Sequence, residues 1–234
     1  MKLGKYLLGI ALAASAFGAS ATTTITGTVD YGGATVGTSC DGQSESQQPV
    51  FVLTDGATIK NVVIKAGGGA DGIHCTGSCT LSKVVWNDVC EDAATMKGGS
   101  GKTMNVSGGT AYYASDKVFQ HNGIGSTVNI SGFYANTIGK LYRSCGNCSS
   151  NGGPRYVNIS STTVANVSAS VVGVNSNFGD IAKIRTLKVK GWTKGSPAIC
   201  VAYKGVQSGS ESSKIGEQWG TTACNVSTSD ITAY

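Results

Sequence analysis

Charge is scarce in this sequence: Asp, Glu, Lys and Arg make up 13% of its 234 residues. Proline is scarcer, with 3 residues, and aromatic residues reach only 7%. No basic run and no basic–aromatic stripe occurs, so the electrostatic footprint of a nucleic-acid partner is missing. Beyond the first residues no apolar stretch is long enough to span a bilayer, which argues against a membrane partner. No long 3.6-residue period follows either, so helices should be few. What is abundant is glycine, 34 residues without a collagen period. Glycine at that frequency points to many turns and closely packed backbone.

The amino-terminal residues read as a targeting segment. Lys2 and Lys5 precede an apolar run from Tyr6 to about Phe17, and Ala19-Ser20-Ala21 provides a small-residue exit. This is the pattern of a secretory signal peptide over residues 1–21, cleaved after Ala21. The mature chain, residues 22–234, is then expected to be one secreted, extracellular domain. Its formal charge falls from +5 to about +3, a mild excess that steers polyanions. All eight cysteines follow the leader. An even count in an exported chain reads as a disulfide framework, whereas His74-Cys75-x-x-x-Cys79 has the wrong spacing for common zinc motifs. Cys200 and Cys224 are the pair the sequence favours, and the other six stay unassigned.

Two interleaved series of segments organise the chain. One is β-prone: Thr58–Ile64, Thr80–Trp86, Thr103–Ser107, Thr127–Ser131, Arg155–Ser160 and Ile184–Lys190. The other runs into glycines at 77, 98, 123 and 146, at intervals of 21, 25 and 23 residues. Six positions before those glycines stand Asp71, Asp92, Lys117 and Lys140. Repetition at about 20–30 residues without intervening helices predicts an all-β, single-domain, right-handed parallel β-helix. A β-sandwich, the rival built from short strands, does not explain chemically similar positions at equal distances from the glycines. Stacked coils lie about 4.8 Å apart, so these four residues should form one ladder. Asp71 and Asp92, with Glu91 beside them, would repel unless Lys117 or a divalent cation such as calcium offset their charge. A solvated acidic patch with an ordinary ion pair is the alternative at this point.

Five segments in order resemble those of family 3 of the polysaccharide lyases, secreted pectate lyases with a parallel β-helix fold. They are Ala70-Asp-Gly-Ile-His-Cys75, Asp88-Val-Cys-Glu-Asp-Ala-Ala-Thr95, Asp116-Lys-Val-Phe-Gln-His-Asn-Gly123, Lys140-Leu-Tyr-Arg-Ser-Cys-Gly-Asn-Cys148 and Val172-Gly-Val-Asn-Ser-Asn177. The resemblance runs from about Pro49 to Asp180 and implies calcium-dependent cleavage of de-esterified pectin, polygalacturonate, by β-elimination. Carried over by motif, it makes Asp71, Glu91 and Asp92 calcium ligands, Lys117 the base and Arg143 the arginine that faces the substrate. The reverse assignment, with Arg143 as the base, is disfavoured by its high pKa. Lys140 joins the substrate-binding set, and Glu45 matches an acidic position near the cleft. Ser115 stands where an acid is common, and Lys83 where asparagine is frequent.

Other residues have plainer readings. His74 and His121 are expected to pack or hydrogen-bond within the ladder, and Trp86, Phe119 and Tyr142 to serve as core. Asn61, Asn129 and Asn158 are expected at coil turns. Two rival functions stand beside the lyase: a β-helical polygalacturonase working with paired carboxylates and water, and a non-catalytic pectin-binding adhesin. A capped solenoid is expected to be monomeric.

Overall fold

The computed structural model describes residues 21–207 and 209–234, so the leader lies outside the described residues except for Ala21. The chain winds into a β-solenoid of about seven turns. One parallel sheet runs through Thr28–Asp30, Ala57–Lys60, Cys79–Ser82, Thr103–Ser107, Thr127–Ser131, Tyr156–Ser160, Ile181–Ile184 and Cys224–Asn225. The remaining strands form a larger sheet that wraps the other sides of the coil.

Parallel coils put like residues above like. In the smaller sheet Ile59, Leu81, Val106, Ile130, Ile159 and Ile184 are successive register partners and point inward. None is more than 2% exposed, and each such side chain stabilises the coil by about 1.5–3 kcal/mol. Trp86, Phe119 and Phe133 fill the wider interior by edge-to-face contacts at 5.1–6.3 Å. Tyr142 is also wholly buried, so the expected core aromatics are core. His121 is an inward residue too. It is satisfied there by Tyr142 Oη and Ser126 Oγ, each at 2.7 Å, and burial pushes its imidazole down to a pKa of about 3.

Three of the expected strands prove to be two strands meeting at a bend. Thr58–Ile64 breaks into Ala57–Lys60 and Val63–Ile64, Thr80–Trp86 into Cys79–Ser82 and Val85–Trp86, and Ile184–Lys190 into Ile181–Ile184 and Leu187–Val189. The break falls at Asn61, Lys83 and Thr186, whose φ angles are +51°, +53° and +49°. Gly108, Gly132 and Ser161 occupy the same corner in other coils with φ of +63°, +63° and +47°. Left-handed backbone suits glycine and asparagine, which is why Lys83 stands in a position that favours asparagine. Asn61 also bonds across to Asp30 at 2.9 and 3.0 Å. Asn129 and Asn158, expected at turns, instead sit mid-strand, in an outward amide ladder with Asn105 at 2.9 and 2.8 Å.

Disulfides join Cys40–Cys90, Cys75–Cys79, Cys145–Cys148 and Cys200–Cys224, the last as expected. One strand departs from parallel order: Ser213–Glu217 pairs antiparallel with Ala198–Lys204, after which Cys224–Asn225 and Ile231–Ala233 resume the parallel winding.

Candidate active site

Ile73 pairs with Ala94 and Ala94 with Phe119. Asp71, Asp92 and Lys117 stand two residues earlier in each coil and so share one column, and Lys117 pairs directly with Lys140. The long strand Thr110–His121 reaches this column by turning a corner. Its register against Tyr134–Ser144 shifts between Ala114 and Lys117. A bulge of this kind re-aims the residues that follow it, and here it delivers Lys117 toward the acids.

Carboxylate oxygens of Asp71, Glu91 and Asp92 all lie within 4.8 Å of one another. Glu91 and Asp92 are each 3% exposed and Lys117 6%, which replaces the solvated-patch alternative with a buried cluster. Lys117 Nζ stands 3.4 Å from Glu91 Oε1, 3.2 Å from Asp92 Oδ1 and 3.1 Å from Asp116 Oδ2. Burial pushes the Asp92 carboxyl well above its ordinary range against the pull of Lys117, with Glu91 adding to the rise. Burial likewise lifts Glu91 to about 7, opposed by Lys117 and reinforced by Asp71. Asp71 goes the other way: burial raises it, but hydrogen bonds from His74 and Glu91 outweigh that and hold it low. For Lys117, burial favours the neutral amine, yet Asp92, Glu91 and Asp116 together raise its pKa.

The donor set fits a hard divalent cation. Three carboxylates converge from two coils, and the buried Asp92 Oδ1 accepts no hydrogen bond. Lys117 meets that oxygen at ion-pair distance only. Oxygen donors that close, one of them without a hydrogen-bond partner, suit calcium, which takes several carboxylate oxygens at about 2.3–2.6 Å.

Around the cluster the structure gathers the other expected residues unevenly. Glu45 is exposed and lines a cleft of about 390 Å³ together with Asp71, His74 and Lys97. His74 Nε2 meets Asp71 Oδ2 at 2.7 Å, so it bonds within the ladder. Lys140 Nζ is paired with Asp116 Oδ1 at 2.6 Å. Arg143 stands three residues beyond Lys140 on the same strand, in register with Gln120 and Gly173. Its side chain leans toward the later coils. Nη1 donates to Asn175 Oδ1 at 2.9 Å and Nη2 to Ser212 Oγ at 3.0 Å, and burial lowers its pKa.

The chain matches the pectate lyase family profile over residues 10–210. It is 46% identical over 197 residues to probable pectate lyase D of Emericella nidulans, covering 82% of this chain and 72% of that protein. Its fold superposes on the catalytic domain of pectate lyase PelI from Erwinia chrysanthemi with a TM-score of 0.83 at 45% identity, over 92% of this chain and all of that one. The chain belongs to the pectate lyase family. Within it, the resemblance to polysaccharide lyase family 3 holds, and the protein is a pectate lyase by its relatives and its fold. PelI in complex with tetragalacturonic acid superposes with a TM-score of 0.82 at 47% identity, over 92% of this chain and 69% of that one.

For a pectate lyase, several residues at this site went unremarked in the sequence. Asp116 precedes Lys117 within a recognised segment and bridges Lys117 to Lys140. Asn175 lies in the fifth segment, and its role appears only when the coils stack. Tyr203 and Ser212 lie beyond the recognisable stretch, on the closing hairpin, where no repeat marks them.

Proposed function

We propose that the protein is a secreted, calcium-dependent enzyme that cleaves de-esterified pectin by β-elimination and releases 4,5-unsaturated oligogalacturonates. The observation that carries this reading is the convergence of Asp71, Glu91 and Asp92 against Lys117 Nζ. Galacturonate carries a carboxylate on C5, and breaking the C4–O4 bond by elimination requires removal of the weakly acidic C5 proton. Calcium bound by the three acids would supply charge neutralisation for that carboxylate as a Lewis acid.

The protein's own groups do the rest. Lys117 Nζ takes the C5 proton, the C–H electron pair forms the C4–C5 double bond, and O4 departs with its chain. Glu91 and Asp92, two of the three carboxylates that keep Lys117 protonated, lose that hold in proportion as their charge is shared with a cation. Arg143 offers planar, bidentate donors to a substrate carboxylate. Lys140 adds a second cation on the same face, and Glu45 lies at its rim. Hydrolysis by a carboxylate pair would leave Lys117 and Arg143 without a task, so the elimination reading is preferred.

One assay tests this. Polygalacturonate with calcium should yield an ultraviolet-absorbing unsaturated product, increasingly so as the pH rises and Lys117 deprotonates. Chelator should stop it. Viscosity loss without new absorbance would identify a hydrolase instead. The leader and the extracellular destination are tested by amino-terminal sequencing of the exported protein. Its expected monomeric state is tested by sedimentation.

A further inference from the structure

Arg143 does not project freely from its rung. Its register partner on the next coil is Gly173, and the Arg143 side chain lies across it. A Cβ on Gly173 would stand 2.8 Å from Arg143 Cδ and 3.0 Å from Tyr203 Cε2. The backbone of Gly173 is not in the left-handed region, so space, not conformation, requires glycine there. Beyond that gap the guanidinium carbon sits 4.0 Å from the centre of the Tyr203 ring.

Its edge is held as well as its face. Nη1 donates to Asn175 Oδ1 and to Ser144 O, and Nη2 to Ser212 Oγ. Asn175 is wholly buried and cannot turn its amide without loss. Its Nδ2 donates to Cys145 O at 2.8 Å, and its backbone N–H donates to Asp180 Oδ2 at 3.0 Å.

We propose that Gly173 and Tyr203 are positioning residues that seat the Arg143 guanidinium in one plane and thereby set the preference for an unesterified uronate. The proposal rests on the substrate role given to Arg143 above. Three donors are committed to Ser144, Asn175 and Ser212, which leaves the edge formed by Nε and the second Nη2 proton for a substrate carboxylate. A planar fork discriminates by geometry: a carboxylate offers two charged oxygens, and a methyl ester has lost the charge and blocked one acceptor. A guanidinium free to tilt would keep its charge but lose that match. Stacking on an aromatic face is what prevents the tilt.

The test compares kcat/KM on polygalacturonate with that on highly methyl-esterified pectin for Gly173→Ala, Tyr203→Leu, Tyr203→Phe and Arg143→Lys. Tyr203→Leu is expected to lower kcat/KM on polygalacturonate by roughly 3- to 30-fold, the span of a lost cation–π contact. The polygalacturonate-to-pectin ratio should fall with it, mainly through KM. Gly173→Ala should do the same if it folds, which its melting temperature reports. Tyr203→Phe keeps the ring and should restore the ratio. A general structural defect would lower both substrates together and leave the ratio in place. Tyr203→Leu and Tyr203→Phe indistinguishable from the parent, beside an Arg143→Lys loss of tenfold or more, would overturn the seat but keep the arginine's role. An Arg143→Lys enzyme with parental kinetics would overturn both.

Discussion

Lys117→Met should destroy turnover and, in the same protein, tighten calcium binding. Lys117 and a bound cation draw on the same oxygens. Nζ lies 3.2 Å from Asp92 Oδ1 and 3.4 Å from Glu91 Oε1. Each such pair attracts by about 5 kcal/mol at an effective dielectric of about 20. Desolvation of buried ions offsets most of that. A net release of about 1–3 kcal/mol toward the incoming ion corresponds to affinity rising about 5- to 150-fold. Methionine has similar length and no charge, so the packing around the column is nearly kept. Isothermal titration with calcium at neutral pH measures the affinity, and ultraviolet absorbance on polygalacturonate measures the turnover. A variant that binds calcium no better than the parent would mean that these carboxylates are not where the cation sits. Near-parental turnover would remove Lys117 from the role of base.

Asp92→Asn should raise the calcium concentration needed for half-maximal activity by at least tenfold, about 1.4 kcal/mol. Its melting temperature in chelator should fall little, because Glu91 and Asp116 still face Lys117 and an amide costs less to bury than a carboxylate; a large drop would contradict this. The Glu91 contribution to stability in chelator should decline as pH rises from about 4.5 to about 7, its ordinary and its folded value. In that window the folded protein binds the extra proton, so raising the pH favours unfolding. His121, held neutral in the fold, pulls the other way below about 6.5, so the check is the difference between thermal melts of the parent and of Glu91→Gln; a parent-minus-variant stability that rises with pH would refute it. Removing the Cys200–Cys224 bond, which spans 24 residues, should cost about 3 kcal/mol by denaturant titration. No change would mean that the closing coil is held by packing alone.

The ladder was legible because parallel stacking converts equal spacing in the chain into adjacency in space. Asp71, Asp92, Lys117 and Lys140 could therefore be aligned by counting back from glycines. The inward aromatics and the buried His121 were legible for the same reason. What escaped was local. A left-handed residue bends a strand without altering its composition, so Lys83 and Thr186 hid inside runs that looked continuous. Asn129 and Asn158 pair with their own kind across coils, which a turn signal does not foretell. The surroundings of Arg143 come from Asn175 and from Tyr203 and Ser212, on two stretches remote from it in sequence, and the second is an antiparallel hairpin outside the repeat.

The recurring left-handed corner has an evolutionary consequence. From Asn61 to Lys83 is 22 residues, and from Gly132 to Ser161 is 29, yet both intervals return the chain to the same bend. The surplus in the longer interval is taken up between Ser144 and Tyr156, after the strand that carries Arg143. The later Ser213–Glu217 hairpin is inserted on the same side, after Lys204. One corner thus acts as a metronome and the other as a place for insertions. New loops can lengthen the lip of the groove and retune which sugars it accepts, while the winding beneath keeps time.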